Sequence, residues 1–219
     1  MFITFEGVEG SGKTTIINMI SDKLNSLRID YLHVREPGGV KISEQIRNII
    51  LDKNNTEIDD RCEALLFAAS RRQLLVEKIF PALKENKVVL CDRFIDSSLA
   101  YQGGGKGLGI ENVLNINLFA TENTLPDLTL FFDIDPKIGL ERIAKNNKRE
   151  VNRLDLQKLD FYNKTREAYL NLAKIYKNRY VIIDASKSIN EVFNIALKII
   201  LDKLNENWWI FRKKPANSI

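Results

Sequence analysis

Eight residues near the start of the chain, Gly7-Val8-Glu9-Gly10-Ser11-Gly12-Lys13-Thr14, have the types and spacing of a phosphate-binding loop. They match G-x-x-x-x-G-K-[ST]. Glycines let the backbone fold tightly enough for several N–H groups to converge on one phosphate. A helix starting at the end of the loop adds partial positive charge. Lys13 is then expected to reach the β- and γ-phosphate oxygens, and the Thr14 hydroxyl to ligate Mg²⁺. The motif requires a strand before it and a helix after it. Met1–Phe5 is an apolar, β-prone run, and Ile16, Ile17, Ile20, Leu24 and Leu27 recur at helical spacing behind it. The chain is therefore expected to bind a nucleoside triphosphate.

Other residues gain meaning only behind that loop. Val88-Val89-Leu90-Cys91 runs into Asp92, the Walker B pattern that sets a carboxylate near the metal. Any buried strand ending in aspartate fits this pattern, so alone it decides little. Arg93 follows at once, and the two unlike charges suit a site holding both a metal and a phosphate. Glu36 follows the apolar run 31–35, before Pro37-Gly38-Gly39 turns the chain. Phe67, Ser70 and Arg71 share one helical face, an aromatic ring one turn from a guanidinium. Spacing alone would equally make Phe67 core and Arg71 a surface charge. Ser97, Ser98 and Gln102 offer hydroxyl and amide groups able to read a base edge. The glycine run 103–107 reads as a flexible loop. Residues 142–153 hold five bases, Arg142, Lys145, Lys148, Arg149 and Arg153, against one acid. Most charge runs are solvated loops, but behind a phosphate-binding loop this one reads as a basic lid.

These groups must be positioned by the surrounding elements. Short apolar runs at 2–6, 30–35, 87–91, 128–133 and 179–184 alternate with helical patterns at 13–27, 41–51, 61–85, 95–101, 110–121, 136–146, 154–177 and 188–205. This alternation is the signature of an α/β fold. We expect a P-loop NTPase-type five-stranded parallel sheet flanked by helices, with a short basic lid at about 142–153. Residues 1–205 form one domain, and 206–219 form a basic, aromatic tail containing Trp208-Trp209. Ligands of such sheets sit at the carboxyl ends of the strands, where Asp92 and Glu36 fall.

Composition narrows the class. A hydrophobic fraction of 44% and a charged fraction of 28% are those of an ordinary globular protein. The net charge of +4 suits anionic small substrates and argues only weakly for nucleic acid. Cys62 and Cys91 lie in apolar stretches without metal-ligand spacing and read as buried thiols of a reducing compartment. No apolar run reaches the roughly 18 residues of a membrane helix. A strand starts at the first residues, which leaves no signal peptide and points to the cytoplasm. His33, the only histidine, lies inside a strand, which argues against Ser–His or Cys–His nucleophilic chemistry.

Several stretches together resemble bacterial thymidylate kinases. They are Phe5-Glu6-Gly7 through Thr15, Arg35-Glu36-Pro37-Gly38-Gly39, Leu66-Phe67-Ala68-Ala69-Ser70-Arg71, Asp92-Arg93-Phe94-Ile95-Asp96-Ser97-Ser98-Leu99-Ala100-Tyr101-Gln102-Gly103, Pro126-Asp127-Leu128-Thr129 and Asn152-Arg153-Leu154-Asp155. They follow the family's order over residues 1 to about 205. The resemblance implies transfer of the ATP γ-phosphoryl group to dTMP, with Mg²⁺, in a homodimer. It implies that Phe67 stacks on thymine, that Arg71 and Gln102 read or flank the base, and that Ser97 lies near it. It further assigns Arg93 and Arg47 to the acceptor phosphate, Glu9 to the deoxyribose 3′-hydroxyl, and Glu36 to the acceptor site. Gly10 stands where some members carry a catalytic arginine, so the lid is expected to supply that charge. Arg149 is the first choice, with Lys145 and Lys148 as alternatives.

Two rival readings remain open. A deoxynucleoside kinase shares the loop and the Asp-Arg pair but needs a base near a neutral hydroxyl, a role open to Glu36. A GTPase-type switch or binding module needs Asn/Thr-Lys-x-Asp, and Asn163-Lys164-Thr165-Arg166 lacks the aspartate.

Overall fold

A computed structural model describes residues 1–145 and 153–212, the side chains of 155, 156 and 207–212 excepted. Five parallel strands form one sheet: β1 (Phe2–Glu6), β2 (Tyr31–Arg35), β3 (Val88–Asp92), β4 (Leu128–Asp133) and β5 (Tyr180–Asp184). Their order is β2-β3-β1-β4-β5. The central strands are nearly all apolar because helices cover both sides of the sheet. The expected strand bounds hold to within one residue.

The register sets the site. Arg35 pairs with Asp92, and Asp92 pairs with Phe5, so β2, β3 and β1 end level. Their C-terminal residues therefore open onto one edge. α1 (Lys13–Ser26) and α9 (Ile189–Arg212) cover one face. There Ile16, Ile17, Ile20 and Leu24 meet Val192, Ala196 and Ile200. The helical pattern of α9 continues past residue 205, to Arg212. The other face carries α3 (Asp60–Leu74), α6 (Ile110–Thr121) and α8 (Leu159–Ile175), with α2 (Lys41–Leu51) packed on α3.

Four expectations need correction. The helix foreseen over 154–177 starts only at Leu159, after a separate 3-10 turn at Arg153–Leu156. The helix foreseen over 61–85 is broken. α3 passes through a π turn at Leu75–Ile79 into a short α4 (Phe80–Lys84). Pro81 has no N–H to donate, and the wider turn absorbs the missing bond. The glycine run is not a loose loop. A short α5 (Ile95–Ser98) continues as a π helix over Leu99–Gly105. A Cβ on Gly105 would lie 2.6 Å from the Thr165 hydroxyl, and one on Gly104 2.5 Å from the Ala168 Cβ. The glycines are there because α8 packs directly against that backbone. Cys62 is exposed on the first turn of α3, and only Cys91 is buried.

One buried ion pair ties the sheet to the helix layer. Asp96, fully buried, receives Arg179 Nη1 at 2.6 Å and Nη2 at 2.7 Å. Thr129 joins both groups, and Tyr176 and Tyr180 flank the guanidinium. Removing one partner strands a charge in a site without water. Arg179→Ala is expected to lower the unfolding free energy by about 3–5 kcal/mol, read from the urea midpoint. An unchanged midpoint would show that Asp96 finds another partner.

Candidate active site

A cleft of about 510 Å³ opens at the C-terminal ends of β1, β2 and β3. One wall is the loop between β1 and α1. Its turns require positive φ at Gly10 (74°) and Gly12 (85°), a region open to glycine at no steric cost. Lys13 Nζ lies inside the loop and donates to the Gly7 carbonyl at 2.9 Å, the Val8 carbonyl at 3.1 Å and Ser11 Oγ at 3.1 Å. Burial lowers its pKa to about 8, and the nearby Arg93 charge adds to the effect. Asp92 and Glu9 oppose it. Two cations share this end of the cleft, an arrangement that an anion between them would relieve. Thr14 Oγ1 donates to Asp92 Oδ2 at 3.0 Å, so the loop hydroxyl and the strand-end carboxylate form one oxygen pair.

The opposite wall is basic and aromatic. Arg93 holds a positive φ of 71° directly after β3. Its guanidinium pairs with Glu9 at 2.9 Å, donates to Ser97 Oγ at 3.2 Å, and lies over the Tyr101 ring at 5.0 Å. The Tyr101 hydroxyl donates to the other Glu9 oxygen at 2.6 Å. Arg35 and Arg47 both donate to the Pro37 carbonyl, at 2.8 and 2.9 Å, and both border the cleft. Deeper, Arg71 binds Glu36 through Nε at 2.7 Å. Its Nη1 bonds Ser98 and Asn117. Burial raises the Glu36 pKa to about 7, against the pull of Arg71. The second Glu36 oxygen, Oε1, is buried without a partner.

This chemistry is that of a site for two phosphorylated ligands, and known proteins bear on it directly. The thymidylate kinase family model matches residues 5–195. A thymidylate kinase of a Geobacillus species (strain WCH70) is 55% identical over 203 residues, 93% of this chain and 97% of that protein. One from Clostridium novyi (strain NT) is 58% identical, covering 88% and 94%. The crystal structure of thymidylate kinase from Ehrlichia chaffeensis superposes with a TM-score of 0.74 at 32% identity, covering 92% of this chain and 98% of that one. The chain belongs to the thymidylate kinase family.

Most of the residues expected in a thymidylate kinase site gather on the one cleft: Glu9, Gly10, Gly12, Lys13, Thr14, Glu36, Arg47, Phe67, Arg71, Asp92, Arg93, Ser97 and Gln102 all border it. Gly7, Val8 and Ser11 lie just behind, as the acceptors of Lys13. Ser97 Oγ is engaged by Glu6 at 2.6 Å and Tyr169 at 2.8 Å, so its task is to brace Arg93. Arg149 and Lys148 lie outside the described residues. Lys145 caps the end of α7 (Pro136–Ala144). Further residues join the site that sequence patterns do not assign to it, Arg35, Tyr101 and Arg142 among them. Tyr101 lies within a motif characteristic of the family, where an aromatic next to Gln102 is the available signal. Arg142, by sequence only one base of the lid, bridges the carbonyls of Gly10 at 3.5 Å and Ala185 at 3.0 Å. Its link to Gly10 spans 132 positions, and no local pattern marks such a pairing.

The loop also touches the helix that leads to the lid. A Cβ on Gly10 would lie 2.1 Å from the Gly139 carbonyl oxygen, and one on Gly139 2.3 Å from the Glu9 carbonyl oxygen. Helix propensity alone makes Gly139→Ala favourable by roughly 0.5–1 kcal/mol. The backbone clash opposes it, with overpacking costs of about 1–3 kcal/mol. We expect the clash to win: Gly139→Ala should lower the Tm and weaken nucleotide binding in a fluorescence titration. A variant of equal or higher Tm with full affinity would mean that α7 moves aside freely.

Proposed function

We propose that this chain transfers the γ-phosphoryl group of ATP to the 5′-phosphate of dTMP, giving dTDP and ADP. The observation that carries this reading is Arg93, aimed between the phosphate loop and the acceptor wall with Arg35 and Arg47 nearby. Glu9 answers Arg93 and Glu44 answers Arg35, but among the described residues Arg47 bonds only a backbone carbonyl, so the wall keeps positive charge that a neutral nucleoside acceptor would not use. An acceptor that brings its own phosphate does, and its oxygen is already anionic near pH 7. Catalysis then needs position and charge more than a strong base. The buried Glu36 is held by Arg71, which suits a structural acid better than the base a deoxynucleoside kinase requires.

In this reading the loop N–H groups and Lys13 hold the ATP phosphates. Arg93 and Arg47 hold the acceptor phosphate, and Glu9, oriented by Arg93 and Tyr101, accepts from the 3′-hydroxyl. Phe67 stacks on the thymine beside Arg71 and Gln102. Thr14 and Asp92 form a hard-oxygen pair of the kind Mg²⁺ takes and would be the residues to hold it. Mg²⁺ would neutralise charge on the β- and γ-oxygens when bound. Of the bases Lys145, Lys148 and Arg149, Arg149 is assigned the catalytic charge on the transferring group.

The protein works as a homodimer in the cytoplasm, where free thiols persist. Phe119 on α6 is 91% exposed and Leu65 on the adjoining α3 is 54% exposed, an apolar face that a second copy would cover. Among the described residues no helix is long and apolar enough to cross a membrane.

The direct test is ADP release with ATP and Mg²⁺ over dTMP, dUMP, dCMP, AMP, GMP, UMP and thymidine. Preferred turnover of dTMP is expected, and turnover of thymidine alone would reverse the assignment. Lys13→Ala and Arg93→Ala should each lose about a hundred- to a thousand-fold in kcat while remaining folded by circular dichroism. Near-normal turnover would remove either from the mechanism. The lowered pKa of Lys13 gives a further sign. A phosphate favours the charged amine, so nucleotide binding above about pH 8 should take up protons. Calorimetric titration of ADP at pH 8.5, in buffers of different ionisation enthalpy, reads that uptake. Lys13→Arg should abolish it, and equal heats in both buffers for the unaltered protein would contradict it.

A further inference from the structure

Behind the base-side wall lies a carboxylate that touches none of the proposed ligand positions. Glu63, on the first turn of α3, is fully buried. One of its oxygens, Oε1, accepts Gln102 Nε2 at 2.9 Å. The other, Oε2, accepts Lys106 Nζ at 2.9 Å and Arg153 Nη2. Each cation is itself anchored, Lys106 by Asp60 at 2.6 Å and Arg153 by the Ile50 carbonyl at 2.8 Å. The carboxylate is thus held from two sides and has only acceptor atoms to offer.

We infer that Glu63 sets base specificity by fixing which end of the Gln102 amide faces the cleft. An amide can turn over and exchange its donor and acceptor at no cost in shape. Here it cannot, because the turned amide would set its Oε1 against the acceptor Oε1 of Glu63. Gln102 borders the cleft; with one Nε2 hydrogen committed to Glu63, Oε1 and the second Nε2 hydrogen remain, and the locked amide keeps Oε1 as the acceptor it can offer a ligand. Arg71 borders the same cleft. Glu36 takes its Nε and one Nη2 hydrogen, while Ser98 and Asn117 take Nη1, which leaves one Nη2 hydrogen as a donor. A donor beside an acceptor matches a pyrimidine that presents a C4 carbonyl next to an N3–H. A 4-amino pyrimidine presents the reverse pattern, an amino donor next to a bare N3 acceptor. It would meet Arg71 with a donor and Gln102 with a lone pair. Glu63 is in this sense a positioning residue: it selects 4-oxo over 4-amino pyrimidines through an amide it holds from behind.

This rests on the proposed placement of the base beside Gln102, and the test separates the two. The readout is the ratio of kcat/KM for dTMP to kcat/KM for dCMP, which a purely structural role for Glu63 leaves unchanged. Glu63→Gln keeps the shape but can donate as well as accept, so Gln102 becomes free to turn. The ratio should fall by at least about tenfold, with the loss for dTMP lying in KM rather than kcat. Gln102→Leu should lower the ratio too. If Gln102→Leu lowers the ratio and Glu63→Gln does not, the inference is overturned while the base placement stands. If Gln102→Leu leaves the ratio intact, the placement itself is wrong and the inference falls with it. Should Glu63→Gln not fold, the charge-neutral pair Glu63→Met with Lys106→Met removes the acceptor together with one of its cations. It should lower the ratio in the same way, and an unchanged ratio there would equally overturn the inference.

Discussion

A buried carboxylate must be met by donors or it will not stay charged, and this fold is organised around that requirement. Glu6, Glu36, Glu63 and Asp96 are all buried. Each fixes a different wall. Glu6, at the end of the central strand, accepts the Phe94 N–H at 2.8 Å together with Ser97 and Tyr169. That bond holds the chain where it leaves β3, and Ser97 passes the constraint on to Arg93. Glu36 fixes Arg71, Glu63 fixes Gln102 and the two cations behind it, and Asp96 fixes Arg179. The acceptor side of the cleft is therefore rigid because the polar groups beneath it have no solvent to fall back on. Burial raises the Glu6 pKa to about 7, with Asp96 adding to the rise and its hydrogen bonds opposing it. Such a site stays in order only while its donors are in place.

The donor side works the other way. The phosphate loop is held by Lys13 bonding to loop carbonyls, contacts that a phosphate can replace one for one with stronger, charge-assisted bonds. Arg93 lies close enough to depress the Lys13 pKa, which is a cost to the empty protein. An anion held between the two cations would remove that cost, so both would stabilise a loaded cleft more than an empty one. This is the sense in which the electrostatics favour the ternary complex over either partner alone.

The elements that a local pattern specifies are legible in the sequence. The strands are short, mostly apolar runs, and the phosphate loop is a contiguous motif. Their positions follow from short stretches of chain, and each stretch marks one member of the Thr14–Asp92 pair. What escapes such reading depends on neighbours distant in the chain. The glycines at 103–105 look like a flexible loop by propensity, yet their reason for being glycine is Thr165, Ala168 and Phe161 on α8. Glu63 looks like one charge among many at the start of a helix. Its partners lie 39, 43 and 90 positions away. Cys62 follows Asp59-Asp60-Arg61 and faces outward on the turn of α3 whose Glu63 and Ala64 face inward. Pro81 is a visible signal for the break after α3, masked by the apolar period on either side.

The contact between Gly10 and Gly139 bears on where positive charge for the reaction can come from. The backbone of α7 lies against the phosphate loop so closely that no side chain fits at position 10. A cation cannot be mounted on the loop itself without displacing the helix. The same helix carries Arg142 onto the Gly10 carbonyl and ends at Lys145, directly before the basic stretch. The contact that closes off position 10 thus also anchors α7. Because the anchor is backbone on backbone, it transmits displacement in both directions: a loop reshaped by phosphate would move α7, and a moved α7 would reshape the loop. Displacement of α7 and reshaping of the loop are, on this geometry, coupled.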